Sequence, residues 1–517
     1  MMDLVIRGGR LVDGTGSPPR RADVGVRGDR IVAVGDLEAS TAHRIIDARD
    51  RVVTPGFIDI QSQSVFTLLA DGRAESHVRQ GVTTEIVGEG GSPGQLTPKI
   101  LAQDPRYREW LAALGLELDW TGFDGWFARL AERGTSVNVG AFASVDLLRA
   151  EAVGLAERAP SAEELSQMRA LLDAAMREGV FGLATALAYP PASYTTTDEL
   201  VALAEVAAAH GGRYASHVRS ESGQVREAID EAIAIGERAR LPVLVYHLKI
   251  AGRESWGGMT ELGAQIERAR ARGVAISACQ YPYAAAGAGV LAPIPSWAHD
   301  GGPSALIDRL RDPPLRARIR AEMESRDIFL GRVDFEGLRA GEHTIAERAR
   351  ARGEDPFDTY FDLVIEHRTN LFVIYHAMSE DDVRTAMRFP WVSVASDAEA
   401  TSPAQGLTVH PRAYGTFPRV LGRYVREDHV LSLEEAVRKM TSLPASQLGL
   451  TDRGIVREES FADLVVFDPA RVIDRATFDA PHAYPLGIEH VVVNGVVTVE
   501  SGEHTGARAG RAVLRSS

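Results

Sequence analysis

The chain has 517 residues, 45% hydrophobic and 25% charged, the balance of a globular protein with one large domain and an accessory piece or insertions. Its formal net charge of −14 argues against nucleic acid or an anionic membrane as a general partner and favours a small-molecule substrate. The one cysteine, Cys279, excludes an intrachain disulfide and a Cys-rich metal cluster, so any metal must use histidine, carboxylate or a modified side chain.

The opening MMDLVIRGGRLVDG enters a strand pattern directly, without the charged and apolar regions of a secretory signal. No run reaches the roughly 18 apolar residues of a membrane span, and the expected location is the cytoplasm. Residues 4–53 alternate short apolar runs with turn signals, as small antiparallel strands do. The pattern returns in ADLVVFDP and HVVVNGVVTVESGEHTG, which predicts that residues 1–55 and 460–517 close one small β-sandwich around a central domain, residues 56–459.

In that central part, short β-like runs alternate with long helical stretches, the rhythm of a parallel α/β fold and here of a (β/α)8 TIM-type barrel. The runs are FIDI, TTEIVG, VNVGAFA, GLATAL, YASHV, VLVYHL, VAISACQ, LFVIYH and VSVAS, nine candidates for the eight places of a barrel, so one must lie outside it or be no strand at all. AEELSQMRALLDAAMREG and QVREAIDEAIAIGERARL carry apolar residues at helical spacing and belong to the outer ring. Residues 304–354 break the rhythm and read as a helical insertion, a lid over the barrel mouth, while residues 506–517 form an arm against the body or a frayed tail.

Catalytic groups of such barrels sit at the C-terminal strand ends. YASHV carries His217, VLVYHL carries His247 and VSVASD ends in Asp397. Singly each histidine is an ordinary polar residue. Together, two imidazoles and a late carboxylate suit a zinc ion that activates water, with Asp397 as general acid and base or, in the bland alternative, a helix N-cap.

LVIRGGRLVDGTG, TPGFIDI, GVTTEIVGEGGS, SHVRSE, HLKIAG, QYPYAA, SDAEA, HPRAYGTFPRVLGRYVRE, KMTSLPA, ADLVVFDP and VVVNGV run nearly end to end. With them the chain resembles the D-aminoacylase branch of the amidohydrolase superfamily, which includes N-acyl-D-amino-acid deacylases. The resemblance implies a metal-activated water attacking an amide carbonyl, a strand-end Asp moving protons, and Arg and Lys groups holding the substrate. Two departures stand out. Where the family places His-x-His after PGFID, this chain has Gln61, Ser62 and Gln63, with Val65 in place of a common acidic residue, and amide oxygens are poor zinc ligands. The metal-binding Cys two residues after Gly88 is also missing, and Glu89 stands one residue off its position, open to a ligand role or to a structural or substrate-facing one.

The later histidine pair is intact, so a single zinc held by His217, His247 and Glu89 is the expected cofactor. By the same resemblance Arg219, Lys249, Tyr281 and Arg412 line the pocket, with Tyr189 as a wall and His376 as a substrate or outer contact; His410 has no motif that makes it a ligand. PYAAAGAG and the run GLATAL lack hydroxyls usual in relatives, which makes the pocket more apolar. The expected activity is hydrolysis of an N-acyl-D-amino acid or related amide. The rival is a barrel that has left metal hydrolysis for elimination, cyclisation, epimerisation or amide formation, with Asp397, Lys249 and the histidines as acid/base groups; a third, weaker reading is a non-catalytic binding protein.

Overall fold

The computed structural model describes residues 1–325 and 330–515, so residues 326–329 of the expected insertion and 516–517 of the tail lie outside the described residues. At the N-terminus, β1 (Met2–Arg7) lies between β2 (Asp23–Arg27), antiparallel, and β4 (Ala42–Asp47), parallel, with β3 (Arg30–Gly35) on the outer side of β2. Alternate residues Leu4, Ile6, Val24 and Val26 enter one apolar cluster, which is why these runs alternate in the sequence. β5 (Val52–Pro55) follows and waits for a partner from the far end of the chain.

The barrel begins with β6 (Phe57–Asp59) and continues through β7 (Val82–Val87), β8 (Asn138–Ala141), β9 (Gly182–Ala186), β10 (Arg213–His217), β11 (Val243–Val245) and β12 (Ile276–Gln280), paired in parallel, with Ala143–Ser144 carrying the β8 segment onto β9. The next apolar run, β13 (Phe372–Tyr375), is the surplus candidate. It pairs antiparallel with Ala286–Gly289 and Leu338–Ala340 in a separate sheet, because residues after β12 supply it with edges of their own. The eighth barrel strand is β14 (Val392–Val394), parallel to β12, and the ring closes where the Asp397 N–H donates to the Gln61 carbonyl at 2.9 Å.

Ile58, Ile86, Ala184, Ala215, Leu244, Cys279 and Ala395 form one cluster drawn from strands around the ring, the layered filling of a barrel interior. Outer helices form as their periodicity dictates. Ala162–Arg177 opens with a capping box from Ser161 and Glu164 and buries Met168, Leu172, Ala175 and Met176 on one face. The 304–354 stretch contains helices Pro313–Ser325 and Ile345–Arg352.

β15 (Leu464–Phe467) pairs antiparallel with β5 and with β16 (Ile488–Val493), which in turn pairs with β17 (Val496–Glu500). The two ends of the chain therefore share one sheet. The tail lies as an arm along the barrel: Val513 N–H donates to Val139 C=O at 2.8 Å, and Arg515 N–H to Gly179 C=O at 2.8 Å. Among the described residues no helix is long and apolar enough to cross a membrane.

Candidate active site

Four strand ends build the site. After β7 the chain passes Gly88 at φ 124°, where a Cβ would lie 2.3 Å from the Phe142 carbonyl oxygen; only glycine permits this turn, and it delivers Glu89 to the barrel mouth. β10 ends on His217. His247 follows β11 with φ 33°, and Asp397 follows β14 with φ 49°. Non-glycine residues in this region cost about 1–3 kcal/mol each and persist where surroundings hold them. Gln61 does so for both: its Oε1 accepts the His247 N–H at 3.1 Å and its carbonyl accepts the Asp397 N–H at 2.9 Å.

Glu89 Oε1, His217 Nδ1 and His247 Nε2 form a triangle with edges of 2.9, 3.1 and 3.1 Å. The ligands of a tetrahedral zinc at 2.0–2.1 Å stand about 3.3 Å apart, so the triangle accepts such an ion with small adjustments. Charge points the same way: Glu89, Glu221 and Asp397 converge on the mouth, where Lys249 pairs with Glu221 and Arg412 with Asp397. Burial pushes the Glu89 carboxyl up, but the His247 charge and hydrogen bonds from His217 and His247 hold it well below the usual range. Burial and Lys249 push His247 down, yet Glu89, Glu221 and Asp397 outweigh them and raise it to about 9.

The first-strand glutamines have a structural use that their sequence positions did not disclose. Both amide groups donate to Glu89 Oε2, from Gln61 in a short bond and from Gln63 at 2.7 Å, which leaves Oε1 turned to the imidazoles. Gln63 Nε2 donates as well to Asp397 Oδ1 at 2.9 Å, and Gln61 Oε1 accepts from Cys279 Sγ at 3.1 Å, which fixes the amide's orientation. The space between Glu89 and Asp397 is thus spanned by N–H donors, which cannot ligate a cation.

A cavity of about 700 Å3 opens over the triangle, in the size range of small-molecule sites. Lys249, Tyr281, Arg412, Tyr189, His410 and Asp397 line it, as do Ala286–Gly289 of the hydroxyl-poor loop. Arg412 Nη1 is 2.9 Å from Asp397 Oδ2, and its guanidinium lies 4.6 Å from the Tyr281 ring centre. His410 accepts the Arg412 N–H at Nδ1 (3.0 Å) and, as the Nε2–H tautomer, donates to Ala285 C=O (3.1 Å), so it positions Arg412. The Tyr189 ring meets that of His217 edge-on at 5.3 Å.

Two expected pocket residues lie elsewhere. Arg219 is not among the cavity-lining residues: its guanidinium binds Glu231 at 3.0 Å and the carbonyls of Ser193 and Thr195, tying the chain after β10 to a barrel helix. His376 follows β13, outside the ring; it packs on Phe478 at 4.8 Å and borders a different cavity. In their place the structure brings in Glu221, whose Oε1 sits 2.6 Å from Lys249 Nζ and 3.1 Å from His247 Nδ1. Its position in SHVRSE, a carboxylate four residues beyond a strand-end histidine, was the available signal.

The fold and the site define a class: a parallel eight-stranded barrel enzyme with donors for a metal ion at its mouth. Residues 44–499 match the model of the Amidohydrolase family, and the chain belongs to that family, in its D-aminoacylase branch. It is 37% identical to the N-acyl-D-glutamate deacylase of Alcaligenes xylosoxydans xylosoxydans, over 96% of this chain and 93% of that one. It is 35% identical to the D-aminoacylase of the same organism, over 100% of this chain and 98% of that one. Among solved structures it is similar to N-acyl-D-glutamate deacylase from Bordetella bronchiseptica, complexed with zinc and a phosphonate mimic of the tetrahedral intermediate, at a TM-score of 0.83, 32% identity and full coverage of both chains.

Proposed function

We propose that the protein hydrolyses the amide bond of N-acyl-D-amino acids, using one zinc ion held by Glu89, His217 and His247. The observation that carries the reading is the triangle of three donors at the barrel mouth, two buried histidines and the half-buried Glu89, each edge close to the spacing zinc requires. Relatives matched along almost the whole chain, which deacylate N-acyl-D-amino acids, supply the substrate class. When bound, the ion polarises the amide carbonyl and lowers the pKa of water toward about 7.

The remaining work falls to side chains. Arg412 Nη1 is paired with Asp397, while its Nε makes no hydrogen bond among the described residues, so the guanidinium keeps a donor for a substrate carboxylate, with Lys249 beside it across the Tyr281 ring. Asp397, held on Oδ1 by Gln63 and on Oδ2 by Arg412, takes the proton of the attacking water and returns it to the leaving nitrogen, so that water adds across the C–N bond. Glu221 holds the Lys249 ammonium at its post. Gln61 and Gln63 occupy Glu89 Oε2, which leaves one carboxylate oxygen and one ion.

The test is a panel of N-acetyl amino acids in both enantiomers. The expected result is hydrolysis of D-substrates with kcat/KM about 100-fold or more above their L-counterparts. Absence of hydrolysis across the panel, or equal turnover of both hands, overturns the reading.

A further inference from the structure

Beside the catalytic cavity lies a recess of about 260 Å3 that shares Gly90, Tyr107, Ala186 and Tyr189 with it. This is room for roughly eight or nine water molecules, well beyond the needs of an acetyl or methyl group. Ile100, Leu147, Ala150, Leu155, Leu291 and Ala292 make its surface mostly apolar.

The charges around it are unevenly spread. Each cation lining the recess and the main cavity is matched to a carboxylate, and the one with donors to spare is assigned to the substrate's own α-carboxylate: Arg106 grips Asp104 through Nε at 2.9 Å and Nη2 at 2.6 Å, Lys249 binds Glu221, and Arg412 pairs with Asp397 while keeping Nε for that carboxylate. Asp146 also lines the recess, from the first turn of helix Val145–Ala152; it is 6% exposed. Its Oδ2 accepts the Ser144 hydroxyl at 3.1 Å, and among the described residues it has no ion pair. Burial already pushes the Asp146 carboxyl up to about 7, a measure of how poorly this space accepts negative charge, and an anion entering it would lose its water opposite that group while the nearby cations each hold a carboxylate. An apolar group entering the same space displaces water from apolar walls.

We propose that this recess is the subsite for a bulky, uncharged apolar group next to the scissile amide, the acyl chain or the α side chain, and that Asp146 is the specificity-determining residue that excludes an acidic one. This rests on the N-acyl-D-amino acid reading above. It separates the chain from its relative that acts on N-acyl-D-glutamate, despite 37% identity.

Two substrate ladders test it on the purified zinc-loaded enzyme: acyl groups from acetyl to hexanoyl on a fixed D-amino acid, and D-side chains from alanine to norleucine under a fixed acetyl. One ladder is expected to climb about threefold to fourfold in kcat/KM per methylene while the other stays flatter, and the climbing one identifies the occupant. N-acetyl-D-glutamate and N-acetyl-D-glutamine compare a charge at equal shape. Assayed above about pH 8, where the Asp146 carboxyl is ionised, the glutamate to glutamine ratio should rise about tenfold or more in Asp146→Asn, the ratio and not the absolute rate being the readout. Two flat ladders, or a ratio unmoved in a folded Asp146→Asn, overturn the proposal. A binding arm on wild type needs neither turnover nor a variant: hexanoate should bind at least about tenfold more tightly than glutarate by calorimetry, and equal affinities would overturn the recess. Failure of all hydrolysis with that preference intact would count against the reaction and leave the recess standing.

Discussion

Replacing Glu89 with glutamine is expected to strip tightly bound zinc from the protein and to lower kcat/KM by about a thousandfold or more. The size of the effect follows from how the carboxylate is held. Gln61 and Gln63 both donate to Oε2, so the oxygen of a new amide must stay on that side to accept them. The amide nitrogen is then forced onto the position of Oε1, facing His217 Nδ1 and His247 Nε2 with protons where a lone pair is needed. Metal per chain after gel filtration, measured by mass spectrometry, gives the answer directly. A variant that keeps a full equivalent of zinc would remove Glu89 from the ligand set.

Asp397→Asn is the second large effect, and it should look different. A drop in kcat of about 10²–10⁴ is expected, since an amide cannot take the proton of the attacking water. Zinc content should stay at the wild-type level, because the Asp397 carboxylate stands outside the triangle and touches Glu89 through the Gln63 amide. KM should rise too, as Arg412 loses the carboxylate that orients its Nη1. Loss of metal together with loss of activity would instead make Asp397 a ligand.

The barrel was legible because parallel strands are buried on both faces and read as continuous apolar runs. That same property made β13 look like a ninth barrel strand: VIY is as apolar as its neighbours in the ring, and only the antiparallel edges at Ala286–Gly289 and Leu338–Ala340 place it elsewhere. His217, His247 and Asp397 were visible as strand-end residues in motifs. Arg219 was not separable from them, since its partner Glu231 lies on the following helix and only the packed structure brings the two together. The glutamines show the limit most clearly. As residue types, Gln61 and Gln63 mark the loss of two imidazoles; as placed side chains they orient Glu89, brace Asp397 and support the strained backbone of His247. A hydrogen bond's direction depends on which end of the amide faces its partner, and that is decided by neighbours such as Cys279 that are far away in sequence.

One ion, held by Glu89, His217 and His247, is proposed to serve an amide hydrolase in which Gln63 braces both Glu89 and Asp397 by hydrogen bonds. Zinc titration of metal-stripped protein, followed by bound metal and by hydrolysis of an N-acetyl-D-amino acid in the same samples, decides whether one ion suffices. Both are expected to rise together and level off at one zinc per chain. Full activity in the metal-free protein, or activity that appears only with a second equivalent, would contradict one-ion hydrolysis.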